Sequence, residues 1–204
     1  MAKVIAYIDG FNLYYGLRQA FGRQFLWLDL QKMCASLLIR DQQLVEVKYF
    51  TATARGKPAT LRRQQTYWNA LAASCDILTI ERGRFQRRKL VCRACGGTSI
   101  SYEEKETDVG IAVSLVEGAA RKAFSTAILI TADSDLCPAI RAVRRLHPAA
   151  RLVAAFPPRR CSDELRSLVD ASFTISRKKL TKAQLPPRVK LRDGSVVSRP
   201  PHWR

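Results

Sequence analysis

Four acidic residues stand where their chemistry could be pooled. Asp133 and Asp135 follow directly on the apolar run Thr126-Ala127-Ile128-Leu129-Ile130, and Asp9 closes a similar run, Val4-Ile5-Ala6-Tyr7-Ile8. Asp108 falls in the first turn of an amphipathic segment that leads into the later run. Each has an ordinary structural reading. Asp9 suits a turn, Asp108 a first-turn acid beside a Thr107 cap, and Ser134 or Asp135 the cap of the next helix. Taken together they suggest more, because the chain spends only 17 acidic residues against 35 basic ones. Carboxylates held a few ångströms apart resist ionisation unless a cation lies between them. Oxygen donors of this kind select Mg²⁺ or Mn²⁺, and such an ion activates water and steadies a phosphoryl transition state. Asn12 is placed to orient a water or a phosphate, and Thr131 and Ser134 to supply hydroxyls around the same ion.

Pooling requires a scaffold in which separate strands end on one edge. The apolar runs at 4–8 and 126–130, rich in β-branched residues, read as buried strands of a parallel sheet. Between and after them come strands at 45–51, 77–80, 152–156 and 173–175 and helices at 13–21, 28–38, 58–73, 107–122, 138–146 and 163–169. Asp29 and Ser162 are available as N-caps, Gly22 as a C′ residue and Pro138 for a first helical turn. Gly10 follows Asp9 in a turn where a positive φ is affordable. This order predicts an α/β fold with a mainly parallel sheet flanked by helices. Parallel strands bring their C-terminal ends to one edge, which would gather Asp9, Asp133 and Asp135. The rhythm breaks at about 84–103, where two extended arms surround Cys92-Arg93-Ala94-Cys95-Gly96-Gly97 as a hairpin insertion. Residues 1–176 are expected to form one domain. Residues 177–204, basic and carrying Pro186-Pro187 and Pro200-Pro201, read as an extended tail packed on it in part.

At 204 residues and 47% hydrophobic the chain suits one sizeable core. Its formal charge of +18 and pI near 10.3 imply a polyanionic partner, with nucleic acid ahead of an anionic membrane surface. No apolar run reaches spanning length, and the N-terminus lacks the apolar region and cleavage site of a signal peptide, so a cytoplasmic location is expected. Arg84, Arg87, Arg88 and Lys89 load the insertion, and Arg141, Arg144 and Arg145 share one helix face after Asp135. Both sets are candidates for phosphate contacts flanking the acidic pocket. Tyr14, Tyr15, Phe85 and Tyr102 are candidates for stacking on unpaired bases, although aromatics near strand ends also serve the core. Cys34, Cys75, Cys137 and Cys161 read as reduced thiols. Cys92 and Cys95 form half a zinc knuckle with no second ligand pair at suitable spacing. A zinc shared between two chains, a redox pair and two thiols in a turn all remain open, as does a homo-oligomer.

Three stretches carry a family resemblance. Ile8-Asp9-Gly10-Phe11-Asn12, then Glu103-Glu104-Lys105-x-Thr107-Asp108-Val109, then Thr131-Ala132-Asp133-Ser134-Asp135-x-x-Pro138 resemble, in this order, the signatures of the NYN domain family of PIN-like metal-dependent ribonucleases. The similarity extends over about 3–176. The stretch from Gly194 to Trp203 is similar to the C-terminal pattern of a bacterial subgroup, with Pro201 at the matching position. The resemblance implies a Rossmann-like three-layer αβα sandwich with Asp9, Asp108, Asp133 and Asp135 at the metal and Asn12 beside it. The function implied is hydrolysis of RNA, single-stranded or structured, at a Mg²⁺ or Mn²⁺ centre. A non-catalytic RNA-binding module on the same fold, or a flap-type DNA nuclease or phosphatase, would use similar residues.

Overall fold

In the computed structural model, which describes residues 1–54, 58–91 and 93–203, the two apolar runs lie side by side at the middle of a sheet. Strand β1 (Ala2–Asp9) pairs in parallel with β2 (Gln42–Ala52) on one side and with β5 (Thr126–Ile130) on the other. The sheet is completed by β3 (Leu78–Val91), β4 (Thr98–Lys105), β6 (Arg151–Phe156) and β7 (Ala171–Thr174), in the order β4-β3-β2-β1-β5-β6-β7. All pairings are parallel except that of β3 with β4. The strand order reverses direction between β1 and β5, and the crevice beyond the C-terminal ends of such a pair is where ligands sit in open α/β sheets.

Period-two alternation divides the core. Val4, Ala6 and Ile8 of β1 face a cluster shared with α1 (Gly10–Phe21), α2 (Leu30–Ala35), α3 (Pro58–Ser74) and α7 (Arg177–Lys182). Ile5 and Tyr7 face a second cluster with α4 (Thr107–Ala120), α5 (Cys137–Leu146) and α6 (Asp163–Leu168). The result is the three-layer αβα sandwich with a mostly parallel sheet and an antiparallel hairpin. Asp29 accepts from the Lys32 N–H at 2.7 Å, Ser162 from the Leu165 N–H at 3.2 Å, and Gly22 closes α1 at φ +62°. These are the caps the sequence offered.

The expected hairpin is present and grows out of the sheet: β3 runs unbroken, pairing with β2 through Gly83 and with β4 from Arg84 onward. Two expectations need correction. The region after 176 is not extended. It forms α7, the hairpin of β8 (Arg188–Lys190) with β9 (Val196–Ser198), and a 3₁₀ turn at Pro201–Trp203. Leu180, Leu185 and Val189 are buried, Pro186 accepts from the Trp27 indole N–H at 2.8 Å, and Trp203 packs on Trp27 and Tyr67. Gly10 does not use a positive φ. It is needed for close approach, since a Cβ there would lie 2.5 Å from the Phe50 carbonyl oxygen.

Candidate metal centre at the sheet switch point

Asp9 is the last residue of β1 and the N-cap of α1. Its Oδ1 accepts the Asn12 N–H at 2.9 Å, and its Oδ2 accepts the Thr131 hydroxyl at 2.9 Å. Thr131 follows β5, is buried, and its Oγ1 also accepts the Asp133 N–H at 3.1 Å. One hydroxyl therefore ties the two carboxylate-bearing strand ends together. Asn12 adds a second tie, its side-chain oxygen accepting the Ala132 N–H at 3.2 Å. Asp108 arrives from the other layer, in the first turn of α4, one residue past the buried Thr107. The N-cap position of α4 is Glu106, at φ 80° and without a side-chain cap, so Thr107 is not the cap the sequence suggested.

The outcome is a group of three. Ligand oxygens of Asp9, Asp108 and Asp133 all lie within 4.8 Å of one another, with Asp9 buried and the other two half-buried. Among the described residues, Asp135 is outside this group and exposed. Its N–H donates to Asp133 Oδ1 at 3.0 Å, so it is Asp133 that caps the short 3₁₀ turn Ser134–Leu136. Ser134 heads that turn, its carbonyl accepting the Cys137 N–H. Burial pushes the Asp9 carboxyl above its ordinary pKa and the charge of Asp133 adds to the rise, while the Asn12 N–H and Thr131 hydroxyl oppose it. A divalent cation among the three acids would reverse that balance. An all-carboxylate donor set fits Mg²⁺ or Mn²⁺.

The basic residues are distributed otherwise than the helix face implied. Helix α5 begins two residues after Asp135, with Arg141 one turn in and Arg144 and Arg145 in its last turn. Arg144 is committed internally. It pairs with Asp170 at 2.9 Å and donates to the carbonyls of Ala150 and Leu168 at 3.2 and 3.3 Å. On the hairpin, Arg84 pairs with Glu106 at 2.5 Å, and Arg87, Arg88 and Lys89 are exposed. Cys95 is exposed and unbridged, and Cys92 lies outside the described residues.

Tyr14, Tyr15, Phe85 and Tyr102, which the sequence left scattered, line one cavity of about 410 Å³ on the α1 and α3 side of the sheet. Sequence reading missed its remaining walls, among them Arg18, Arg63, Trp68 and Trp203. Trp68 and Trp203 carry no local pattern that marks a cavity, and only tertiary packing brings both to it.

Comparison with known proteins agrees with this architecture. A 6-hydroxy-3-succinoylpyridine 3-monooxygenase of Pseudomonas putida (strain DSM 28022 / S16) is 28% identical over 187 residues, and the match covers 74% of this chain and 58% of that protein. A crystal structure of a protein of unknown function from Vibrio parahaemolyticus RIMD 2210633 superposes with a TM-score of 0.61 at 19% identity, covering 86% of this chain and 94% of that one, and so shares the fold. Among the described residues no helix is long and apolar enough to cross a membrane. The NYN domain profile matches residues 3–177, most of the chain, and the protein belongs to the NYN domain family, whose fold is that of the PIN-like nucleases.

Proposed function

We propose that the protein is a metal-dependent ribonuclease that hydrolyses phosphodiester bonds at the edge where β1, β5 and α4 meet. The observation that carries this reading is the convergence of Asp9, Asp108 and Asp133 within 4.8 Å at the switch point of the sheet. Asp9, Asp108 and Asp133 would hold the Mg²⁺ or Mn²⁺ ion. When bound, such an ion supplies an acidified water and charge stabilisation at the phosphoryl group. Thr131 fixes the rotamers of Asp9 and the backbone of Asp133, so the donor set is organised before any ion arrives. Asn12 positions the β5 loop through Ala132 rather than facing a ligand with that oxygen. Asp135, exposed beside Asp133, is suited to accept a proton from a water or to hold a second ion. The exposed Arg87, Arg88 and Lys89 supply non-specific phosphate contacts, joined by Arg141. A cytoplasmic location belongs to the same proposal and rests on sequence alone.

The name of the Pseudomonas relative raises an oxygenase reading. The donor set favours hydrolysis: a redox-active non-haem iron site generally includes two histidines, and the clustered acids here include none. Incubating labelled RNA and DNA with the wild type and Asp9→Asn in Mn²⁺ tests the proposal. RNA cleaved by the wild type and spared by Asp9→Asn is the expected result. No cleavage with Mn²⁺ by either protein would leave an RNA-binding module, and cleavage of flap DNA alone would move the assignment to a DNA nuclease.

A further inference from the structure

We infer that the aromatic cavity on the α1 and α3 side of the sheet is a receptor for one unpaired nucleobase of the bound strand. This rests on the ribonuclease reading and extends it to what the enzyme selects. The cavity volume of about 410 Å³ lies within the range of about 300–1,000 Å³ usual for small-ligand sites. Its lining includes Phe11, Tyr14, Tyr15 and Phe85, joined by successive ring contacts. Phe11 and Tyr15 lie nearly parallel with ring centroids 6.5 Å apart, and Phe85 meets Phe11 edge-on at 6.0 Å. Tyr15 is 53% exposed, an open flat face at the rim rather than a core ring.

Three further observations point to a nucleotide rather than an apolar guest. Arg18, Arg23 and Arg63 line the same cavity, and Arg18 sits 5.7 Å over the Tyr14 ring while donating to its hydroxyl at 3.0 Å. The site thus combines ring faces with guanidinium groups, which is the pairing that holds a base and its phosphate. In the wall, the indole N–H of Trp68 is buried and without a hydrogen-bond partner among the described residues, an unmet polar group in an otherwise largely aromatic and basic lining. Position completes the case. Gly10 and Phe11 line the cavity and follow Asp9 directly in the chain, so the cavity lies at the same strand end that carries Asp9. A base stacked within a duplex is not available to the cavity, so duplex RNA is excluded at this subsite.

The test is binding of a single-stranded oligoribonucleotide carrying one 2-aminopurine, in EDTA, where no cleavage is needed. Binding should change the probe's fluorescence. Tyr15→Ala should lower affinity about fivefold or more, Tyr15→Phe should stay within about twofold of the wild type, and an abasic substitution should lower wild-type affinity as Tyr15→Ala does. Duplex or abasic RNA bound as tightly as the single strand, or Tyr15→Ala indistinguishable from the wild type, overturns the assignment. Stacking by these criteria without Mn²⁺-dependent cleavage would sustain the cavity assignment while removing the hydrolase reading.

Discussion

Replacing Thr131 by valine isolates the contact that organises the acids. The side chains are nearly isosteric, and Thr131 is 1% exposed, so the change removes a hydroxyl without opening a cavity. Two hydrogen bonds go with it, the 2.9 Å donation to Asp9 Oδ2 and the 3.1 Å acceptance from the Asp133 N–H. A hydrogen bond to a charged group contributes about 1.5–3 kcal/mol, and a buried N–H left without a partner costs about 1–3 kcal/mol. Asp9 keeps the Asn12 N–H and the Asp133 amide is only part-buried, so the lower half of each range applies, giving about 2.5–4 kcal/mol in all. Part will appear as lost stability in urea. The rest should appear as a loss of Mn²⁺ affinity of about 10- to 100-fold, the usual effect of removing a group that orients a ligand. Thr131→Ser keeps both hydrogen bonds and should recover most of that affinity while losing about 1 kcal/mol of methyl burial. Calorimetric titration with Mn²⁺ and urea unfolding of the three proteins provide the measurements. Wild-type Mn²⁺ affinity in Thr131→Val, or the same deficit in Thr131→Ser, would refute the reasoning.

Three other outcomes follow from the same geometry. Gly10→Ala should yield little soluble protein or lose several kcal/mol, because its Cβ would meet the Phe50 carbonyl at 2.5 Å and the Tyr49 ring at 2.8 Å; expression and thermal unfolding check this. Partial burial tends to raise the Asp170 pKa, but the Leu152 N–H and the Arg144 guanidinium outweigh it, so the carboxyl sits below its ordinary value. Its stabilising contribution is therefore complete above the unfolded value of about 3.9 and lost as pH falls through the folded one, so the stability gap between wild type and Asp170→Asn should close below about pH 4. Arg144→Leu should likewise destabilise at neutral pH yet leave RNA affinity unchanged, whereas Arg87→Ala and Lys89→Ala should each lower the slope of log affinity against log salt by about 1 and leave unfolding unaltered.

The sequence announces some of these features and hides others for identifiable reasons. A strand that is apolar on both faces and ends in an acid is a local signal, so β1 with Asp9 and β5 with Asp133 were legible, as were the caps Asp29, Ser162 and Gly22. That β1 and β5 pair side by side is a topological fact, and it alone brings Asp9 and Asp133 together. Periodicity placed Arg141, Arg144 and Arg145 on one helix face but could not tell that Arg144 is taken up by Asp170 and the carbonyls of Ala150 and Leu168. The C-terminal segment misled because its buried Leu180, Leu185, Val189 and half-buried Trp203 follow no period of 2 or 3.6 and are diluted by lysine, arginine and proline. The aromatic cavity was half legible: its rim residues could be chosen by type, while its depth depends on Trp68 and on Trp203 returning from the far end of the chain.

The most direct test of the central claim is a crystal structure soaked in Mn²⁺ and measured at the manganese absorption edge. The account predicts an anomalous peak at the switch point with carboxylate oxygens of Asp9, Asp108 and Asp133 each at about 2.1–2.3 Å, close to the distances of hard octahedral cations. No peak there, or a peak held by Asp135 without Asp9, would contradict it.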